Sequence, residues 1–173
     1  MNPGPHIRIE MLSNPMYLSG ARELVSAVAR RLGFNDANCS QIALAVDEAL
    51  CNVIRHGYDR KADRPIWLSL WPLEGSAHGT LDGGQQGPIT AAIKIVIEDE
   101  ARQVEPARIK GRDLEDVKPG GLGVHIIKEV MDEVRYEKRE GAGMRLTLVK
   151  RQAIPAKECG TNLQPAGAKA PTA

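Results

Sequence analysis

The sequence predicts a two-layer α/β sandwich, a mixed, mostly antiparallel sheet with helices on one face. Three observations lead there. The apolar period changes along the chain in the order strand, helix, helix, strand, strand, helix, strand, strand. The helices are too few to cover both faces of such a sheet. The last two strands, "VRYEKRE" and "MRLTLVKR", are separated only by "GAG", as in a hairpin.

Each element has its own signal. Residues Ile7 to Leu12 alternate as "IRIEML" and read as a strand. "SNP" turns the chain into "MYLSGARELVSAVARRLG", where Leu24, Val25, Val28 and Leu32 recur at helical spacing and Gly33 ends the run. Asn35 or Asp36 caps the next helix, which is expected to continue to Gly57. "RPIWLSLW" is a strand, and "ITAAIKIVIED" is a second whose near-continuous apolar run suits a central position. Between them, about residues 74–88 are rich in Gly and small polar residues and read as a flexible insertion. "KPGGLGVHIIKEVMDE" is a glycine turn feeding a helix. One domain is expected over residues 1–151, with 152–173 a disordered tail that lacks periodicity.

Bulk composition narrows the function. Hydrophobic residues make up 42% of the 173 and charged residues 26%, the balance of a globular protein with a real core. A net charge of +1 gives no basic field for direct nucleic-acid binding. No apolar stretch is long enough to span a bilayer, and the N-terminus lacks the layout of a signal peptide, so a cytoplasmic protein without a membrane segment is expected. The three cysteines are widely spaced and read as reduced thiols. Aromatics are only 3%, so the core must be aliphatic.

Chemistry concentrates in "DEALCNVIRHGYD", residues Asp47 to Asp59. On a helix, Glu48, Asn52, Arg55 and His56 fall within an arc of roughly 100°, bordering the apolar stripe of Ile42, Val46, Ala49, Leu50 and Val53. Alone, that stripe also fits a solvated face with Glu48 and Asn52 as neighbours one turn apart. An amide oxygen is nevertheless a fit ligand for Mg²⁺ when phosphates and waters supply the rest, and a carboxylate one turn away can take a proton from a hydroxyl. "GGLGVHII", with Gly120, Gly121 and Gly123, lets backbone come close to a ligand at a helix N-terminus. The charged, aperiodic "ARIKGRDLEDVKP" before it suits a mobile lid. Asp99 ends the apolar strand, either simply terminating it or, in a pocket, accepting a hydrogen bond from an adenine amino group.

In this order and spacing the three stretches resemble the GHKL ATPase/kinase superfamily, and within it the anti-sigma factor serine/threonine kinases of the RsbW and SpoIIAB type. The resemblance covers roughly Ile7 to Lys150. It rests on "DEALCNVIRHGYD" as the N box, Asp99 in "IEDEARQVEP" as the adenine box, and "DVKPGGLGVHIIKEVMDEVRY" as the second glycine box. It implies the Bergerat-type ATP-binding fold and two cofactors, ATP and Mg²⁺. Glu48 would be the catalytic base, Asn52 the Mg²⁺ ligand, and Asp99 the adenine contact. Gly121 and Gly123, with Leu122 and Val124, would lie against the phosphates, and Arg55 and His56 would line the phosphate end or orient Glu48. The implied partners are an anti-sigma-factor antagonist of STAS type and a sigma factor, with homodimerisation through the first strand and helix. Ala101 replaces the glycine of the family's D-x-G, and Met144 replaces the threonine of its G-T. Both departures imply weakened adenine recognition, and with them an alternative: a regulatory module of the same fold that binds partners without turnover.

Overall fold

A computed structural model describes residues 4–73, 89–109 and 122–154. Its element order is β1 (Ile7–Leu12), α1 (Leu18–Arg31), α2 (Asp36–Asn52), β2 (Pro65–Leu73), β3 (Ile89–Asp99), α3 (Leu122–Val130), β4 (Glu133–Lys138) and β5 (Met144–Ile154), as the sequence predicts. Short 3-10 turns lie at Pro15–Tyr17 and Pro106–Arg108. The insertion near 74–88, most of the expected lid, Gly120, Gly121 and the residues beyond 154 lie outside the described residues. Strand β5 carries the sheet to Ile154, past the domain edge expected at 151.

The five strands lie in the order β1-β2-β3-β5-β4. Every pairing among the described residues is antiparallel, where a mixed sheet was expected. The reason is the path through α3. The chain leaves β3, crosses through α3 and lays down β4 parallel to β3, and the β4–β5 hairpin then returns β5 into the gap between them.

Local chemistry sets the helix ends. Asn35 caps α2, its Oδ1 accepting from the Asn38 N–H at 2.8 Å, with Asp36 in the first turn. Helix α1 closes on Gly33, at φ 92°. The Gly33 N–H donates to the Arg30 carbonyl and the Phe34 N–H to the Ala29 carbonyl, the paired bonds of a Schellman ending. Phe34, the only phenylalanine, is thereby turned into the core.

Strand β3 is buried on both faces, as its near-continuous apolar run predicts. Alternate residues of the central strands form the face toward the helices, where Ile66, Leu68 and Leu70 of β2 and Ile93, Ile95 and Ile97 of β3 are essentially inaccessible to water. They pack with Val25 of α1, Ile42 and Leu50 of α2 and Ile127 of α3 in one aliphatic core. Burying each such side chain contributes about 1.5–3 kcal/mol, so α2, whose Ile42, Val46 and Leu50 are all fully buried, is the helix most firmly fixed to the sheet. That helix carries the polar stripe.

Candidate functional site

Helix α2 does not run to Gly57 as expected. It ends at Asn52, and Val53–Gly57 form a π turn closed by the Tyr58 N–H on the Val53 carbonyl at 2.9 Å. Such wide turns recur at functional sites because they re-aim side chains that a regular helix would send elsewhere. The turn ends with His56 and Gly57 on the wall of a cavity of about 360 Å³.

The chain after the turn is strained and tightly held. Asp59 and Arg60 are left-handed, at φ 50° and 62°. The Arg60 N–H donates to the Ile54 carbonyl at 2.8 Å, and the fully buried Ser13 donates its hydroxyl to the Lys61 carbonyl at 2.5 Å. Tyr58 then links three elements: its hydroxyl donates to the Pro65 carbonyl at 2.6 Å and accepts from the Glu100 N–H at 2.7 Å. Burial raises the pKa of this phenol. The end of α2, the start of β2 and the residue after Asp99 are thus tied to one side chain.

Glu48 and Asn52 are half-buried, and Asn52 also lines the cavity. Helix α3 comes so close that a Cβ on Gly123 would stand 2.5 Å from Glu48 Oε2 and 3.4 Å from Asn52 Nδ2. The glycine is therefore what lets α3 lie against both polar side chains. Asn52 Nδ2 is buried with no hydrogen-bond partner among the described residues. The fold thus leaves this amide unspent, which a solvated stripe would not explain. Asp47, one residue before Glu48, faces α1 instead, where its Oδ2 lies 3.4 Å from Arg22 Nη1.

Asp99 also faces this cavity and is 5% exposed. Its Oδ1 accepts from the Ala101 N–H at 2.8 Å and the Met144 N–H at 3.1 Å. Among the described residues nothing donates to Oδ2. Burial raises the carboxyl above its ordinary pKa of 3.8, against the two backbone N–H groups and Arg139, which lower it. The result is a buried acceptor with one oxygen fixed by the chain and one available.

The sequence-predicted residues separate into three groups. Asn52, His56, Asp99 and Val124 line the cavity. Glu48 and Gly123 meet at its edge. Arg55 is exposed and Leu122 is 58% exposed, and neither lines it. Gly121 falls outside the described residues. Sequence reasoning missed Arg102 and Arg108, which bring positive charge to the wall, and Tyr136 and Leu146, which supply apolar surface. Both are exposed, and nothing in the sequence sets them apart from the other arginines.

The backbone at Ala101 does not carry the left-handed cost expected of it. Among the described residues Asp59 and Arg60 are the positive-φ non-glycine ones, so the Ala101 backbone suits an L side chain. Its methyl is buried, in the space that Gly57 leaves open: a Cβ on Gly57 would lie 2.9 Å from the Ala101 Cβ. At Met144 the contact to Asp99 comes from the backbone N–H and is independent of the side chain.

Residues 11–150 match the model of the histidine kinase-like ATPase domain family. The serine-protein kinase RsbW of Listeria innocua is 26% identical over 142 residues, covering 82% of this chain and 85% of that protein. The serine-protein kinase RsbW of Bacillus subtilis is 24% identical over 155 residues, covering 84% and 86%. Among solved structures, the histidine kinase domain of the blue-light activated histidine kinase of Erythrobacter litoralis EL346 superposes with a TM-score of 0.45 at 16% identity, spanning 79% of this chain and 59% of that one.

Proposed function

The chain belongs to the histidine kinase-like ATPase family, and from that premise we propose that it is an ATP- and Mg²⁺-dependent serine/threonine protein kinase acting as an anti-sigma factor. Its substrate on this reading is a seryl or threonyl hydroxyl of an anti-sigma-factor antagonist, and its second partner a sigma factor, which sets the activity in the cytoplasm. The observation that carries the reading is Glu48 and Asn52 packed together against Gly123, beside a cavity that Asn52 and Asp99 both line. RsbW relatives matched over most of their length support the same activity. The kinase domain is the span through β5, ending near residue 154.

The residues fit the roles. Asp99 Oδ2 is a buried acceptor suited to an exocyclic amino group, and Ile97, Leu146 and Val124 give apolar surface for a base. Arg102, Arg108 and His56 offer donors to phosphate oxygens along the wall. The Asn52 amide oxygen, an oxygen ligand on the cavity wall, suits a hard cation that takes its other ligands from phosphate and water. When bound, Mg²⁺ would neutralise the phosphate charge that builds up in a loose phosphoryl-transfer transition state. Glu48 has no hydrogen-bond or ion-pair partner among the described residues, so its carboxylate is open to accept the proton of the attacking hydroxyl. As that proton moves to Glu48, the hydroxyl oxygen bonds the γ-phosphorus and the bond to the β-phosphate oxygen breaks, releasing ADP.

Calorimetry with ATP and Mg²⁺ tests the first half. Wild type should bind, and Asn52→Ala should lose most of the Mg²⁺-dependent affinity. A wild type without detectable binding would sink the kinase and leave a partner-binding module. γ-Labelled transfer to an antagonist tests the second half. Label should disappear in Glu48→Ala while binding persists, and undiminished label would remove Glu48 from the role of base.

A further inference from the structure

The Asp99 carboxylate recognises a base only if the backbone beneath it is fixed, and the residue that fixes it lies outside the cavity. Arg139, at the end of β4, donates from Nη1 to the Asp99 carbonyl at 2.5 Å. Its own carbonyl accepts from Gln103 Nε2 at 2.7 Å, and its N–H donates to the Gly143 carbonyl at 3.1 Å. The β4–β5 turn is therefore laced to the segment 99–103 that walls the cavity.

What holds the Arg139 guanidinium lies on the sheet face opposite the helices. Its Nε is 3.6 Å from Glu98 Oε1, and its Cζ stands 5.0 Å over the Trp67 ring. Glu98 is 7% exposed and also takes Arg145, through Nη2 at 2.8 Å and Nε at 3.0 Å, and Arg8 at 3.6 Å. A carboxylate this buried persists only with such partners. Glu98 and Asp99 are consecutive on β3 and so point to opposite faces. The same strand thus presents a charge hub on one face and the cavity acceptor on the other, with Arg139 bridging both.

We infer that Arg139 is a positioning residue for base recognition, fixing the Asp99–Glu100 peptide and through it the aim of the Asp99 carboxylate, with Glu98 and Trp67 holding its guanidinium from the far face of the sheet. The inference rests on the reading of the cavity as the ATP site. Losing Arg139 leaves the Asp99 carbonyl without its charged donor, and the peptide is then held on its N–H side alone, by the Tyr58 hydroxyl at 2.7 Å. The Asp99 carboxylate keeps its backbone N–H bonds to Oδ1 but loses one of the two clamps on the peptide that follows it.

The test compares ATP with inosine triphosphate, which has an oxygen in place of the amino group that Asp99 would accept from. Wild type should prefer ATP, because a site built to accept a hydrogen bond rejects the analogue that cannot donate it. In Arg139→Ala, ATP affinity measured by calorimetry should fall about tenfold, the scale of one charge-assisted hydrogen bond. Affinity for the inosine analogue should change little, so the preference narrows by a similar factor. The KM for ATP should rise while kcat at saturating ATP stays within about twofold. Arg139→Lys, which keeps a charged donor, should restore most of the preference. Glu98→Gln should narrow it in the same direction, and the double variant should show less than the sum of the two effects. Equal weakening of both nucleotides would show a merely structural role and overturn the inference, as would an unchanged ratio. If Arg139→Ala does not fold, Arg139→Lys and Glu98→Gln read the same ratio. A wild type that binds ATP and prefers it, beside an Arg139→Ala with the same preference, removes the inference and leaves the kinase reading. A wild type that binds no ATP removes both.

Discussion

Gly123→Ala should separate catalysis from stability more cleanly than removal of Glu48 itself. The added Cβ would stand 2.5 Å from Glu48 Oε2, whereas ordinary contact begins at 3.4 Å, so the carboxylate must retreat by about 0.9 Å. The nearest obstacle is the end of a flexible, half-buried side chain. That makes the retreat cheap for the fold. Glycine to alanine within a helix is itself worth about 0.5–1 kcal/mol in favour of alanine, so the denaturation midpoint should hold or rise slightly. Catalysis responds differently. A misplacement of about 1 Å can cost on the order of a hundredfold in rate, or about 2.7 kcal/mol of barrier. Asn52 Nδ2, at 3.4 Å from the same Cβ, is left in ordinary contact, so nucleotide affinity should change by less than about threefold while kcat falls. The assay pairs urea denaturation with single-turnover phosphoryl transfer at saturating ATP. Full transfer rate in a folded Gly123→Ala would refute the idea that the position of Glu48 against α3 is the productive one.

Three further predictions rest on the same geometry. Asp99→Asn should lose ATP binding, which calorimetry reads, while raising the thermal midpoint at pH 7. Burial raises the folded carboxyl pKa above its ordinary 3.8, so the charged form costs the fold stability as pH rises through that window. The gain should therefore shrink as pH falls toward 3.8 in a melting series, and a gain that grows in acid would reverse the sign. Gly143→Ala should destabilise by upward of about 2 kcal/mol, because a left-handed alanine costs about 1–2 kcal/mol before any clash. Gly143 sits at φ 85° and its Cβ would land on the Asp99 carbonyl, and a denaturation shift below about 1 kcal/mol would contradict this. Gly57→Ala should weaken ATP binding through its 2.9 Å contact with Ala101, and Ala101→Gly in the same chain should restore it in a double-variant cycle. Simple additivity would mean that the two residues do not share that space.

The fold was legible because its signals are local. The eight strands and helices follow from period, caps and turn residues, each of which acts over a few neighbours. The antiparallel pairing throughout the described residues was not, since it depends on β5 returning between β3 and β4 after a crossover. The site divides along the same line. Glu48, Asn52 and Gly123 lie on two packed helices, and spacing along the chain plus one glycine already marks them. The π turn after Asn52 was hidden, because it differs from a helix by one residue per turn and leaves the apolar pattern nearly intact. Arg102 and Arg108 were hidden because a charged residue near a cavity has the same sequence appearance as one in water.

Ala101 and Met144 contribute to the acceptor through their backbones. The contacts made here at positions 101 and 144 are backbone N–H groups on Asp99 Oδ1, and any residue other than proline supplies those. What the structure does demand of residue identity is displaced to the neighbours: glycine at 57, to make room for the Ala101 methyl, and glycine at 143, to let β5 begin against the Asp99 carbonyl. The acceptor site in the cavity is therefore a three-strand device. Its carboxylate comes from β3, one donor from β5, and its backbone clamp from Arg139 beyond β4. An acid buried this way stays aimed only while all three remain in register, so substitution is expected to cost more at 57, 139 and 143 than at 101 and 144.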